Sequence, residues 1–326
     1  MDSCNVKIPS MIDLTAENIT ANTIAVNSQG PDERLRYLME RLVTHLHGFA
    51  RETQLTTEEW VKAVVFLRDA GQISSDTRQE FILLSDVLGL STLVESVNNP
   101  RPTNATESSV LGPFHTKNAH FTENGDSIAS PNKGESCLVR CTLKDTSGNP
   151  IPDATIDVWE ADDTGRYDSQ YEGDVGPDCR GVLKSNKDGE FWFKCVKPVS
   201  YPIPHDGPVG KLLGVLGRHP FRPAHLHFKI EREGFDSLIT ALYLRGDPYE
   251  TSDAVFGVKS SLLVTPRKIQ DPEIAKRYSV SVDDWDIHWD FVLVGEAEGR
   301  QLRQERSLAG PGNTGCAAET AQPLPE

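Results

Sequence analysis

The segment Arg222-Pro223-Ala224-His225-Leu226-His227-Phe228 places two histidines two residues apart. In an extended strand, residues i and i+2 point to the same face. His225 and His227 would therefore present two imidazoles side by side. Two tyrosines precede them: Tyr167 closes Asp162-Asp163-Thr164-Gly165-Arg166-Tyr167, and Tyr201 opens Tyr201-Pro202-Ile203-Pro204-His205-Asp206-Gly207-Pro208. A phenol has a reference pKa of about 10 and ionises at neutral pH only beside a strong positive charge. Two phenolates with two neutral imidazoles form a donor set suited to ferric iron, Fe(3+), more than to zinc or magnesium.

Taken singly, each feature has an ordinary reading. A His-x-His pair serves zinc and ferrous sites as well, with carboxylates completing the set. A tyrosine at a strand end is commonly an amphipathic rim residue, and a proline-rich loop often only makes turns. Three functions follow from these readings: a ferric redox enzyme, a zinc hydrolase using His225 and His227 with Asp157 or Glu160, or a binding module without chemistry.

The elements that must position these residues fall into two groups. Residues 1–30 are polar and aperiodic and read as a loosely ordered arm. From Pro31 the pattern is helical, with Leu35, Leu38, Met39, Leu42, Val43 and Leu46 at three- and four-residue steps. Thr56 and Glu59 form a capping box for a second helix closed by Gly71, and a third helix is expected from about Asp76 to Val97. Asn98-Asn99-Pro100 ends this region. After it come short, β-branched and aromatic segments: CLVRCTLKD, ATIDVWEAD, GEFWFKCV, AHLHFKIER and SLITALYLRG, separated by turn signals. The fold class is α+β: a helical region over 31–105, then an antiparallel β-sandwich over 106–295. Residues 296–326 lack periodicity and read as a disordered tail.

The formal net charge of −15 argues against nucleic acid as a partner. No apolar run is long enough to span a membrane. No secretory signal opens the chain, and its six cysteines show no CxxC spacing, so they read as reduced thiols in a cytoplasmic protein.

Together and in this order, VWEADDTGRYD, VSYPIPHDGPVG and HPFRPAHLHF resemble the intradiol ring-cleavage dioxygenases, over roughly residues 30–295. The resemblance implies that Tyr167, Tyr201, His225 and His227 ligate Fe(3+). It implies that the helical domain makes a homodimer, with an apolar tunnel between subunits that holds lipid in the family. The substrates would be a small aromatic diol or triol and O2. Tyr201 would leave the metal to take a substrate proton while Tyr167 stays, and Arg222 would face the bound ring.

The family's substrate pocket maps onto Leu83, Asp86, Val110, Leu111, Gly112, Pro113, Phe114, Ile203, Pro204, Arg222 and Val255. Leu83 and Asp86, three apart, share a helix face. Asp86 resembles the hydroxyquinol-cleaving branch, where catechol-cleaving members carry an apolar residue or proline. A carboxylate placed for a third hydroxyl would be left unpaired by plain catechol. Ala241 stands where catechol-cleaving members often carry glutamine. These features favour hydroxyquinol, opened to 3-hydroxy-cis,cis-muconate and its tautomer maleylacetate, over catechol, opened to cis,cis-muconate.

Overall fold

A computed structural model of the chain describes residues 10–75, 78–171, 173 and 176–308. It divides into two compact units, with the boundary between Asp69 and Ala70.

The first unit is helical. Helix α1 (Ile19–Asn27) precedes α2 (Glu33–Glu52) and α3 (Thr57–Ile73). Asp32 caps α2 by accepting from the Leu35 amide. The expected capping box of α3 is present: the Thr56 amide donates to Glu59, and the Glu59 amide donates to the Thr56 hydroxyl at 3.3 Å. Two expectations are corrected. The stretch 10–30 is not a loose arm, because Arg51 donates to the Ala16 carbonyl and the Thr20 hydroxyl and ties α1 to α2. Helix α3 also continues through Gly71 to Ile73.

The second unit takes in the last residues of α3 and continues with α4 (Glu80–Val87) and α5 (Leu90–Asn98). The single helix expected from Asp76 to Val97 is thus two. Gly89 adopts a left-handed φ of 73° between them, which ends one helix and starts the next. Asp76 itself lies outside the described residues.

Eleven strands follow among the described residues. They are β1 (Ser136–Asp145), β2 (Thr155–Trp159), β3 (Arg180–Lys184), β4 (Glu190–Val196), β5 (Tyr201–Pro202), β6 (Phe221–Arg222), β7 (His225–Glu231), β8 (Leu238–Leu244), β9 (Leu263–Val264), β10 (Arg267–Lys268) and β11 (Trp285–Leu293). One sheet runs β10-β11-β1-β4, the second β3-β2-β7-β8-β9, and β5-β6 form a separate ribbon. Most pairs are antiparallel as expected, but β1–β11 and β8–β9 are parallel, so both sheets are mixed. Helices α6 (Pro208–Val215) and α7 (Pro272–Tyr278) sit in the connections.

The core lies between the two large sheets. Leu226, Phe228 and Ile230 of β7 point into it beside Ile156 and Val158 of β2 and Leu238 and Leu242 of β8. Phe228 packs on Phe291 with ring centroids 4.9 Å apart and faces Phe193 at 6.4 Å. The strand period then puts His225 and His227 on the opposite face of β7. At His225 and His227 that face is buried too, because the segments carrying Tyr167 and Tyr201 cover it.

The expected unstructured tail is corrected for residues 296–308, which form α8 (Glu296–Leu308). Glu296 pairs with Arg300 and Gln301 with Glu305 four residues on, and Arg303 grips Asp236 at 2.6 and 3.1 Å. A polar helix held by such pairs needs little apolar periodicity. Residues 309–326 lie outside the described residues. No helix among the described residues is long and apolar enough to cross a membrane.

Phe228→Ala is expected to destabilise the sandwich by about 3–5 kcal/mol through lost burial and a residual cavity. Urea unfolding followed by tryptophan fluorescence measures it; a loss below about 1 kcal/mol would place the core elsewhere.

Candidate active site

His225 and His227 open β7, and their neighbours set their orientation. The His225 Nδ1–H donates to the Pro223 carbonyl at 2.6 Å, which leaves Nε2 as a lone-pair donor. His227 pairs in register with Trp159 of β2 and lies flat on its ring, with centroids 4.9 Å apart and planes 3° apart. Its Nδ1 has no partner among the described residues.

Tyr167 is delivered by the loop after β2. The Asp162 carboxylate folds that loop, accepting from the Thr164 amide and hydroxyl and the Arg166 amide. Beyond Tyr167, Asp168 is ion-paired to buried Arg180, which also donates to the Phe114 carbonyl. Phe114 stacks on the Tyr167 ring at 4.4 Å. Tyr201 lies in the β5-β6 ribbon directly opposite Arg222. Gly165 makes room for it: its φ is 76°, and a Cβ there would stand 2.6 Å from the Tyr201 Cβ.

The four predicted side chains converge. The Tyr167 and Tyr201 hydroxyls are 3.1 Å apart, the Tyr201 hydroxyl is 3.3 Å from His225 Nε2, and the two Nε2 atoms are 3.1 Å apart. None of the four residues is more than 3% exposed. Burial is the main cause that lifts both phenols above the ordinary tyrosine range, with the neighbouring phenol adding to it at Tyr167. Burial likewise holds both imidazoles well below the ordinary histidine range, helped by Arg222 at His225 and by His225 at His227. The histidines are therefore neutral and free to offer a lone pair, and the phenols keep their protons unless a cation displaces them.

Carboxylates do not join the cluster. Asp157 accepts from His115 at 2.7 Å, and Glu160 accepts from the Val196 amide. Among the described residues, no group of three or more His, Cys, Asp or Glu is placed to hold a metal. The zinc-hydrolase reading loses its ligand set.

A cavity of about 680 Å³ is lined by Leu83, Pro113, Phe114, Ile203 and Pro204 of the predicted pocket, together with Arg78, Arg166 and His205. Glu80, buried at the start of α4, accepts from the Val209 amide of α6 and pairs with Arg78. That contact holds α4 against the loop after Tyr201 and fixes the face carrying Leu83 and Asp86. The other predicted pocket residues lie off this lining. Asp86 is buried, and burial raises its carboxyl above the ordinary range against a hydrogen bond from Ser91 and attraction from Arg222. Gly112, with φ of 74°, has His227 3.5 Å from where its Cβ would stand. Val110 and Val255 are buried, and Leu111 is 37% exposed. Ala241 is fully buried and pairs with His227 across β7–β8, so its methyl faces the same side as the imidazole.

Arg222 is fully enclosed. It donates from Nη1 to His225 Nε2 at 3.0 Å, from Nη2 to the Tyr243 hydroxyl, and from Nε and Nη2 to Asp253. Neither Asp253 nor Tyr243 was assigned from sequence. Asp253 opens the segment Asp253–Lys259, which resembles the hydroxyquinol-cleaving branch, but nothing local links either residue to Arg222, 31 and 21 positions away.

Two family models match most of the chain. A catechol dioxygenase N-terminus model matches residues 32–106, and a dioxygenase model matches 110–295. The chain belongs to the intradiol ring-cleavage dioxygenases. It is 57% identical to intradiol ring-cleavage dioxygenase hqdA of Aspergillus niger, covering all of this chain and 98% of that one. It is 45% identical to hydroxyquinol 1,2-dioxygenase of a Rhizobium species, over 85% of this chain and 95% of the relative. The crystal structure of hydroxyquinol 1,2-dioxygenase from Pseudomonas putida DLL-E4 superposes with a TM-score of 0.80 at 38% identity, covering 86% of this chain and 99% of that one. Like its relatives, this dioxygenase is an enzyme, which removes the reading as a binding module.

Gly165→Ala is expected to cut the ring-cleavage rate at least tenfold, because the new Cβ displaces Tyr201. Gly148→Ala is the control: its φ is 87° but nothing lies within 4 Å. Both carry backbone strain of roughly 1 kcal/mol. Equal loss of activity in the two variants would show that strain, and not the collision with Tyr201, matters.

Proposed function

We propose that this dioxygenase opens the ring of hydroxyquinol (benzene-1,2,4-triol) between its adjacent hydroxyl-bearing carbons, using O2 and one ferric ion held by Tyr167, Tyr201, His225 and His227. The observation that carries the reading is the mutual approach of two buried phenol oxygens and two buried imidazole nitrogens. Donors that share one small metal ion stand roughly 2.8–3.4 Å from one another, and the separations of 3.1, 3.3 and 3.1 Å fall in that range.

When bound, the ferric ion supplies Lewis acidity and draws charge from a chelated diphenolate, which opens the ring to O2. The protein's own groups divide the remaining work. Tyr167 is pinned by its stack on Phe114 and by the hydrogen bond its backbone N–H donates to Gln170 Oε1, so it stays in place. Tyr201 precedes the segment Pro202–His205 that lines the cavity, so its oxygen, ionised once the ferric ion is held, would be the one to take a substrate proton. Arg222 offers Nη1 to charge developing on the ring in an enclosed site, where such a donor is worth most.

Asp86 supports hydroxyquinol over catechol. Its buried carboxyl on the α4 face that carries Leu83 suits a third ring hydroxyl, which would add a donor to the one Ser91 supplies and which plain catechol lacks. Relatives named hydroxyquinol 1,2-dioxygenase, at 45% identity, agree with that choice, while a Candida albicans catechol 1,2-dioxygenase stands at 37%. The enzyme acts as a homodimer through its first unit. Leu35, Leu38, Leu42, Leu46 and Phe49 line one face of α2, and all are 46% exposed or more. The same face suits the lipid-holding tunnel of the family.

Steady-state kinetics on both substrates test the reading: kcat/KM for hydroxyquinol is expected to exceed that for catechol by at least 100-fold, and Asp86→Ala to shrink the ratio at least tenfold. A preference for catechol would overturn the substrate assignment.

The pKa directions give a second test. A phenol lifted above its ordinary range binds metal only by losing a proton, and a histidine held far below neutrality has none to lose. Ferric reconstitution at pH 7 is therefore expected to release two protons per ion from the protein, with affinity rising as pH rises. Proton release is measured against a buffer-matched ferric chelate; release of none would show that the phenols are not ligands.

A further inference from the structure

We propose that Asp253, with Tyr243, is a positioning clamp that aims the Arg222 guanidinium at the substrate, an inference that rests on the ring-cleavage reading above. A guanidinium has five N–H donors in a fixed plane, and the surrounding acceptors decide which remain for a ligand. Asp253 takes the Nε–H on Oδ1 at 3.1 Å and one Nη2–H on Oδ2 at 3.2 Å. The other Nη2–H goes to the Tyr243 oxygen at 3.2 Å.

The direction of that last bond follows from the chain behind it. The Gly257 carbonyl can only accept, so the Ser109 hydroxyl, 3.0 Å away, donates to it. The Ser109 oxygen is then free to accept from the Tyr243 hydroxyl at 2.9 Å. The Tyr243 oxygen in turn accepts from Arg222. Three of the five donors are consumed on one side, and both N–H groups of Nη1 face the ligand cluster, 3.0 Å from His225 Nε2.

The clamp is rigid because its acceptors are fixed by backbone. Asp253 Oδ1 also accepts from the Val255 amide and Oδ2 from the Gly257 amide. The loop closes this tightly only with Phe256 at a φ of 58° and with no side chain at Gly257, where a Cβ would stand 2.5 Å from the Tyr243 hydroxyl. A carboxylate with four donors, itself 6% exposed, holds one orientation of the arginine. Without it the guanidinium could turn any of its edges toward the ring.

The test is a mutant cycle on the iron-loaded enzyme. Asp253→Asn keeps the shape but loses an acceptor, and Tyr243→Phe removes the second contact. Each is expected to keep the resting visible spectrum and iron content of the parent. Asp253→Asn should lower kcat about 100-fold and Tyr243→Phe about tenfold, with KM changed less than threefold. In an Arg222→Lys background, either change should cost less than threefold further, because both act through Arg222. Losses that multiply in the double variants, unchanged kcat in both single variants, or loss of iron in both would overturn the clamp. A parent enzyme that binds no iron would instead defeat the functional reading beneath it.

Discussion

Four polar side chains with almost no access to water meet on the outer face of one strand, and most of the second unit serves that meeting. A buried donor or acceptor without a partner costs about 1–3 kcal/mol. Here His227 Nδ1 has none among the described residues, and two imidazole nitrogens that favour the neutral form face each other at 3.1 Å. A cation shared by all four residues would turn the facing Nε2 lone pairs into bonds while leaving His227 Nδ1 as it is, which is why the proposed iron site and the fold are hard to separate.

The sandwich makes the arrangement possible by giving β7 two buried faces. One is ordinary core, with Phe228 between Phe193 and Phe291. The other is covered by loops held with charge: Asp162 folds the Tyr167 loop, Asp168 and Arg180 anchor its far end, and Glu80 brings α4 to the loop after Tyr201. Each of these carboxylates is itself buried or nearly so, so the site stands on an outer ring of polar contacts and not on apolar packing alone. The same logic reaches Arg222, which the proposed clamp of Asp253 and Tyr243 would orient.

The period-two placement of His225 and His227 was readable from the residues alone, and the order of the two tyrosines before them was readable through the family resemblance. The helical-then-strand division was readable because the apolar period changes after Asn99. Other features were hidden for identifiable reasons. Strand β11 carries Asp286 and Asp290, which pair with Arg140 and Lys144 only once β1 lies beside them. Helix α8 is polar and held by charge pairs, so a search for apolar periodicity passes over it. The break at Gly89 depends on one left-handed residue between two helical patterns. Asp253 and Tyr243 contact Arg222 across 31 and 21 residues, and no local spacing announces that.

The most direct measurement of the proposed ferric centre is iron content together with visible absorption of the purified protein. The four-residue site calls for one iron per chain and a wine-red colour from tyrosinate-to-iron charge transfer, weakened and shifted by Tyr167→Phe, which leaves Tyr201 as the one tyrosinate, and shifted when a diphenol binds without O2. A colourless protein that binds zinc or no metal, yet still opens the ring, would contradict it.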